Sequence, residues 1–369
     1  MNVLYNNEYI DFTKEPLFFG TGKNSQRYDV IKYPIFETLF KKMAGFDWQE
    51  DEVQCTKDQA DFNVLNEAMK HSYTRVLNKL IFLDSIQGRG LLQTIGSIVT
   101  NPELEVCMTE WQRFEISRHS RSYTHILRSV YANPSKIFDE SFEIPVLLEL
   151  ADSISKPYEE AFEAVTKYHL GLIDIEDVKV KVLNMLIEIN ILEGVRFYSG
   201  FATIWSMHYS QGLMERTGKI LQLICRDENL HLAITQNLIK ILSRSPEEGF
   251  INAWNSIKDN ITDRYLEAAD QEFKWIDYLF SKGAFLGMTP ELAKNYIKYL
   301  INKRLKAIGF KEVFAGFNKN PIPWVETYIN YDKNEVLPQE SEITNYKMDI
   351  LDTEIKDSAF ERLKKKLKI

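Results

Sequence analysis

The sequence predicts an all-α protein. Helix breakers are scarce, with 16 Gly and 11 Pro in 369 residues, about 7% of the chain against roughly 12% in average proteins. Apolar residues recur at spacings of three and four over long stretches, and no stretch alternates with period two over a strand length. Taken in order, the periodicity predicts helices over 33–44, 63–88, 102–131, 145–170, 178–208, 213–243, 250–282 and 289–307. The stretches at 63–88, 102–131, 178–208 and 213–243 are the strongest of these. Gly283, Gly287, Pro290 and Gly309 mark ends in the last third. From about 335 onward, "NEVLPQESEITNYKMDILDTE" is polar and acidic with few core-forming residues. That composition predicts a mobile tail, so the chain divides into a helical domain over 1–335 and a tail over 336–369.

Composition narrows the function. Hydrophobic residues at 44% and charged residues at 27% suit a globular domain with a sizeable core. A net charge of -8 and a pI near 5.5 argue against nucleic acid as the main partner. Only the last segment, "FERLKKKLKI", reverses the sign. There is no apolar run of 18 residues and no basic N-terminal leader, so the expectation is a cytoplasmic protein without a membrane span. Cys55, Cys107 and Cys225 are odd in number and form no CxxC, which fits a reducing compartment.

Four of the predicted helices carry acids where apolar residues belong. In "NKLIFLDSIQGRG", Asp84 follows Leu77, Leu80 and Ile81 on one face. In "FEISRHSRSYTH", Glu115, His119 and Tyr123 recur every four residues. In "INILEGVRFYSGFATI", Ile189, Glu193, Phe197, Phe201 and Ile204 form a stripe with a carboxylate in its middle. In "QLICRDENLHLAITQ", Glu228 joins a seam of Ile220, Ile224, His231 and Ile234, and a Glu and a His three apart can reach one ion. Each acid has a bland explanation when taken alone: Asp84 as a turn cap before Gly88, Glu193 as a partner of Arg196, "ENLH" as a surface pair. Together they do not. Converging buried carboxylates cost several kcal/mol each unless a positive charge sits between them. Asp84, Glu115, Glu193 and Glu228 with neutral His119 and His231 balance two divalent cations, and oxygen and imidazole donors suit iron or manganese. The absence of clustered cysteines argues against iron–sulfur or structural zinc.

Residue by residue, the chain resembles the small, radical-generating subunit of class I ribonucleotide reductase. The resemblance rests on "KEPLFFG" (14–20), "LDSIQGR" (83–89), "HSRSYTHILR" (119–128), "LEGVRFY" (192–198), "RDENLHL" (226–232), "NPIPW" (320–324) and "LPQESEITNY" (337–346), which span nearly the whole chain. It implies a ferritin-like helical bundle, a homodimer, a di-iron centre that reacts with oxygen, and a large (alpha) subunit as partner. It matches Tyr123 to the radical tyrosine and Phe197, Phe201 and Ile224 to the apolar pocket around it. It also matches His119, Asp227, Trp48 and then Tyr346 to the radical-transfer route, with Glu340 assisting. Trp48 and Tyr346 carry no such signal without the resemblance, whereas Asp227, beside Glu228, is placed to orient a ligand histidine.

Two departures stand out. The family spaces its first Glu/His pair as ExxH, whereas here Glu115 and His119 are four apart and Ile116 holds the three-back position. A one-residue insertion is commonly absorbed as a π-bulge, and a regular helix would still leave the two side chains about 40° apart. We expect the π-bulge, between 111 and 119, with Glu115 still a ligand. The extreme C-terminus is the second departure, basic through Arg362, Lys364, Lys365, Lys366 and Lys368 with Phe360, Leu363 and Leu367 at helical spacing. It reads as a docking peptide for an acidic groove. The leading rival is a stand-alone di-metal oxidase of the same fold, which has no use for Trp48, Asp227 or Tyr346; an iron-storage bundle would have no use for a phenol beside the metals.

Overall fold

The long apolar periods become long helices. The computed structural model describes residues 4–330, with helices α1 (Pro34–Gly45), α2 (Lys57–Val64), α3 (Glu67–Ile95), α4 (Pro102–Phe114), α5 (Ser120–Val130), α6 (Pro134–Glu140), α7 (Pro145–His169), α8 (Ile175–Ile191), α9 (Tyr198–Gln211), α10 (Glu215–Arg244), α11 (Ile251–Ile257), α12 (Ile261–Leu279), α13 (Pro290–Ala307) and α14 (Glu326–Ile329). Among the described residues there is no strand, only isolated bridges at Phe18–Val99 and Phe285–Met288. Nor is any helix there long and apolar enough to cross a membrane. The expected tail from 336 lies outside the described residues.

The expected stretches survive with physical adjustments. The segment predicted over 63–88 is cut at its start, where Leu65 is extended and the Asn66 side chain accepts from the Met69 N–H at 2.9 Å, capping α3. At its far end α3 runs on to Ile95, through Gly88 and Gly90, which serve packing rather than termination. The segment predicted over 250–282 is interrupted by a 3₁₀ turn at Lys258–Asn260. Helices α2 and α6 escaped the periodicity because eight and seven residues are too few to display it. Asn101, Asp174 and Thr289 cap α4, α8 and α13 through their side chains.

Two joints are wider than α-helical. A π segment, Glu115–His119, joins α4 to α5, and a second, Leu192–Arg196, leads from α8 into α9. The first is the expected bulge; the second had no sequence signal. Around these joints α3 packs against α4, α5, α7 and α9, while α10 packs against α8 and α9. The outer helices close the bundle, α1 against α4 and α12 against α13.

Close approach of α3 and α7 depends on Gly90. A Cβ there would overlap the ring of Tyr158, whose hydroxyl donates to Gln87 one turn earlier on α3. Gly90→Ala is therefore expected to destabilise the fold by about 1–3 kcal/mol through overpacking, read as a lower midpoint in chemical denaturation; an unchanged midpoint would show that α7 can yield without cost.

Candidate metal centre

Six side chains from four chain segments meet in the interior. Asp84 comes from α3, Glu115 and His119 from the two ends of the first π segment, Glu193 from the second, and Glu228 and His231 from α10. All six are fully buried. Their donor atoms form two groups, Asp84 with Glu115, His119 and Glu228, and Glu193 with Glu115, Glu228 and His231, each group within 4.8 Å. Glu115 and Glu228 belong to both.

The shared acids each turn one oxygen to each half. Glu228 Oε1 lies 3.3 Å from His119 Nδ1 and its Oε2 lies 2.7 Å from His231 Nδ1. Glu115 does the same, with Oε2 3.1 Å from His119 Nδ1 and Oε1 3.0 Å from His231 Nδ1. Each of these two acids thus presents an oxygen to both histidines. The π turn achieves it for Glu115 despite the four-residue spacing, and Ile116 is turned outward, 47% exposed.

Charge in this cluster is unbalanced by the protein alone. Burial, and after it the Glu115 charge, raises the Asp84 carboxyl well above the usual range; burial and then Glu228 do the same to Glu193. Burial would raise Glu115 too, but His231 and His119 outweigh it and hold it below the usual range. The imidazoles respond in kind: burial opposes their charge, yet the surrounding carboxylates raise both. Both oxygens of Asp84, both of Glu193 and Oε1 of Glu228 have no hydrogen-bond partner although buried. Buried carboxylate oxygens are rarely left so. The donor set, all oxygen and imidazole, therefore fits two divalent cations of the iron or manganese type.

The surroundings divide the halves. Outside His119, Asp227 Oδ2 stands 3.4 Å from Nε2 and accepts from Trp48 Nε1 at 2.8 Å, while the Trp48 and His119 rings stack at 6.5 Å. On the other side Trp111 stacks on His231 at 5.1 Å and donates from Nε1 to Glu115 Oε1 at 2.8 Å. Tyr123, fully buried, has a hydroxyl without a hydrogen bond; burial and then the Asp84 charge raise its pKa well above the phenol value. Phe197, Phe201 and Ile224 are fully buried, and the two phenyl rings stack at 5.8 Å. Tyr346 and Glu340 lie outside the described residues.

Other expectations need correcting or extending. Arg196 binds Glu188, with Nη2 to Oε1 at 2.9 Å, and not Glu193. Asp84 caps no turn, since α3 continues past it. Ile81, read as part of the Asp84 seam, is only partly buried. Sequence reasoning also missed Trp111, which looked like ordinary core, and Gly88, where a Cβ would stand 3.2 Å from that of Glu115. A glycine inside an otherwise regular helix was the available signal for the latter.

Comparison with known proteins agrees with this geometry. A family model described as ribonucleotide reductase, small chain, matches residues 26–321. Ribonucleoside-diphosphate reductase subunit beta of Buchnera aphidicola subsp. Acyrthosiphon pisum is 36% identical, the match covering 95% of this chain and 96% of the relative. The ribonucleoside-diphosphate reductase 1 subunit beta of Escherichia coli O157:H7 is 35% identical over 94% of each chain. A ribonucleotide reductase R2 subunit from Clostridium botulinum superposes with a TM-score of 0.78 at 28% identity, covering 88% of this chain and 97% of that one. A dimanganese(II) NrdF of Streptococcus sanguinis, 20% identical, shares the fold with a TM-score of 0.68 over 83% of this chain and 99% of its own.

The sharing of Glu228 between both groups has a measurable consequence. Anaerobic calorimetric titration with Mn(II) is expected to give two equivalents per chain, about one for Asp84→Ala, and less than one for Glu228→Ala; since Asp84 belongs to one group and Glu228 to both, equal losses in the two variants would contradict the sharing of Glu228.

Proposed function

Because the chain belongs to the ribonucleotide reductase small-chain family, whose beta subunits generate the radical that a large subunit uses to reduce ribonucleoside diphosphates, we propose that Tyr123 is its radical-bearing residue and that Asp84, Glu115, His119, Glu193, Glu228 and His231 hold two iron ions beside it. The observation that carries this reading is the pair of acid and imidazole groups sharing Glu115 and Glu228, with the buried Tyr123 phenol under the charge of Asp84. When bound, two redox-active ions supply oxygen activation and the oxidising power for a one-electron step.

The protein's own residues then determine where the oxidation lands and how it leaves. Tyr123 is held as a neutral phenol by burial, so losing an electron means losing its proton as well, and Asp84 is the carboxylate acting most strongly on it. Phe197, Phe201 and Ile224 would keep water and reductants from the radical. Asp227 joins His119 to Trp48 by hydrogen bonds, which supports radical transfer from the centre through Trp48 and on to Tyr346 with Glu340. A stand-alone oxidase would have no use for that connection. Iron is our choice over manganese, which the same ligands accept and which the Streptococcus sanguinis protein is described as holding. The family is typically homodimeric, and we propose that the basic tail, with Phe360, Leu363 and Leu367, docks the large subunit.

Two measurements test these assignments. Loading the metal-free protein with Fe(II) and exposing it to oxygen should give a tyrosyl signal in electron paramagnetic resonance that is lost in Tyr123→Phe; a signal surviving the substitution would move the radical elsewhere, and one arising only after Mn(II) loading would replace iron. Deleting residues 358–369 should weaken association with the large subunit by roughly 100-fold, as expected when most anchors of a helix-in-groove contact are lost, while leaving the radical yield unchanged; undiminished association would exclude the tail.

A further inference from the structure

A π segment widens the helix and leaves main-chain carbonyls in need of donors. At the first π segment the donors are local, the Ser120 N–H and hydroxyl both giving hydrogen bonds to the Glu115 carbonyl, the hydroxyl at 2.9 Å. At the second, the donors come from distant helices. Arg304 Nε of α13 donates to the Gly194 carbonyl at 3.0 Å, and Lys79 Nζ of α3 donates to that of Arg196 at 2.9 Å. The residue four on from Arg196 is Gly200, whose N–H is directed to the Phe197 carbonyl at 3.0 Å.

We infer that Lys79 is a positioning residue for the metal centre: by holding the Arg196 carbonyl opposite the Arg304 contact, it fixes the π segment and thereby aims Glu193 at its half of the site. The inference rests on the two-metal reading above. Glu193 and Asp84 depend on their backbones in a way the two shared acids do not, and of these two only Glu193 sits in a π segment, Asp84 being carried by regular helix. Glu115 is anchored by Trp111 and both imidazoles, and Glu228 by both imidazoles, whereas neither Glu193 oxygen has a hydrogen bond and His231 Nδ1 is 3.9 Å away.

The chemistry around Lys79 is built for holding. Its ammonium is fully buried and lies 2.7 Å from both oxygens of Glu272 on α12 and 3.3 Å from Ser199 Oγ, which itself donates to Glu272 at 3.0 Å. Burial lowers its pKa to about 8 against the pull of Glu272, so it carries its charge at neutral pH. A buried ion pair is a poor way to gain stability, since apolar residues of similar volume often do as well or better. What an apolar residue cannot do is donate to the Arg196 carbonyl. The same helix carries Asp84 five residues on, so α3 fixes a ligand of one half directly and a ligand of the other through Lys79.

The test uses the full-length protein as Lys79→Met and as Lys79→Met with Glu272→Gln, the latter removing both members of the ion pair so that no bare carboxylate remains. Circular dichroism and thermal denaturation report folding, and anaerobic Mn(II) titration followed by electron paramagnetic resonance distinguishes an isolated Mn(II) from a coupled pair. We expect the folded variant to bind its first Mn(II) as wild type does and its second more weakly by roughly 10- to 100-fold, the usual loss for a removed outer-sphere support. Over the corresponding Mn(II) range its spectrum should be that of an isolated ion where wild type is coupled. Wild-type affinity for both ions with a coupled spectrum would overturn the inference, as would unfolding of both variants, which would make Lys79 a support of the fold and not of one ligand. Failure of the underlying reading shows separately, as a wild-type protein that binds no Mn(II), and would remove this inference with it.

Discussion

Four carboxylates share a fully buried interior, and the rest of the structure is organised around that charge. Unpaired, each would cost several kcal/mol, and their mutual repulsion adds to it. Burial, and after it a repulsion that two imidazoles cannot offset among four acids, drives Asp84 and Glu193 toward their protonated forms, while Glu115, 3.1 Å from His119 and 3.0 Å from His231, is driven the other way. Two divalent ions would meet the deficit with the donors already in place. The apolar seams that bring the acids inward thus act on both sides of the balance: burial raises the cost of the charges, and on the proposed reading the same burial strengthens their attraction for cations.

The backbone carries two of the acids into the site on π segments and not on regular helix. In the first, the wider turn lets Glu115 and His119, four residues apart, meet at 3.1 Å while Glu115 also reaches His231. The second carries Glu193. Such segments survive only if their carbonyls find donors, and the two solutions differ in reach: Ser120 serves the first from within the same helix, Lys79 and Arg304 serve the second from α3 and α13.

That difference explains what the sequence made legible. The bundle could be read from periodicity alone because long helices repeat their burial pattern many times over, while α2 and α6 repeat it hardly at all. The six site residues could be read because an acid in an apolar seam contradicts local energetics, and a contradiction is a strong signal. The bulge at 115–119 announced itself as an extra residue between Glu and His. The bulge at 192–196 did not, because its supports are contacts between helices distant in sequence, and Lys79 facing Glu272 looks in a linear reading like any lysine and any glutamate. Trp111 was hidden for the opposite reason, as an aromatic in a core helix that meets every ordinary expectation.

The two halves of the centre are chemically unequal, and the inequality has a direction. Asp84 and His119 belong to the half that also touches Tyr123 through the Asp84 charge and Trp48 through Asp227. Glu193 and His231 face closed surroundings: an indole stacked on the imidazole, whose Nε2 has no partner, and a π segment pinned by buried cations. On the proposed reading, the residue to be oxidised and the exit for the oxidising equivalent share one half of the site. Glu115 and Glu228, which belong to both groups, would then be held in common by the two ions, and the proposed backbone clamp beneath Glu193 would steady the other half. A one-electron event can therefore be confined to one side because the ligands on the other are held by contacts that take no part in it.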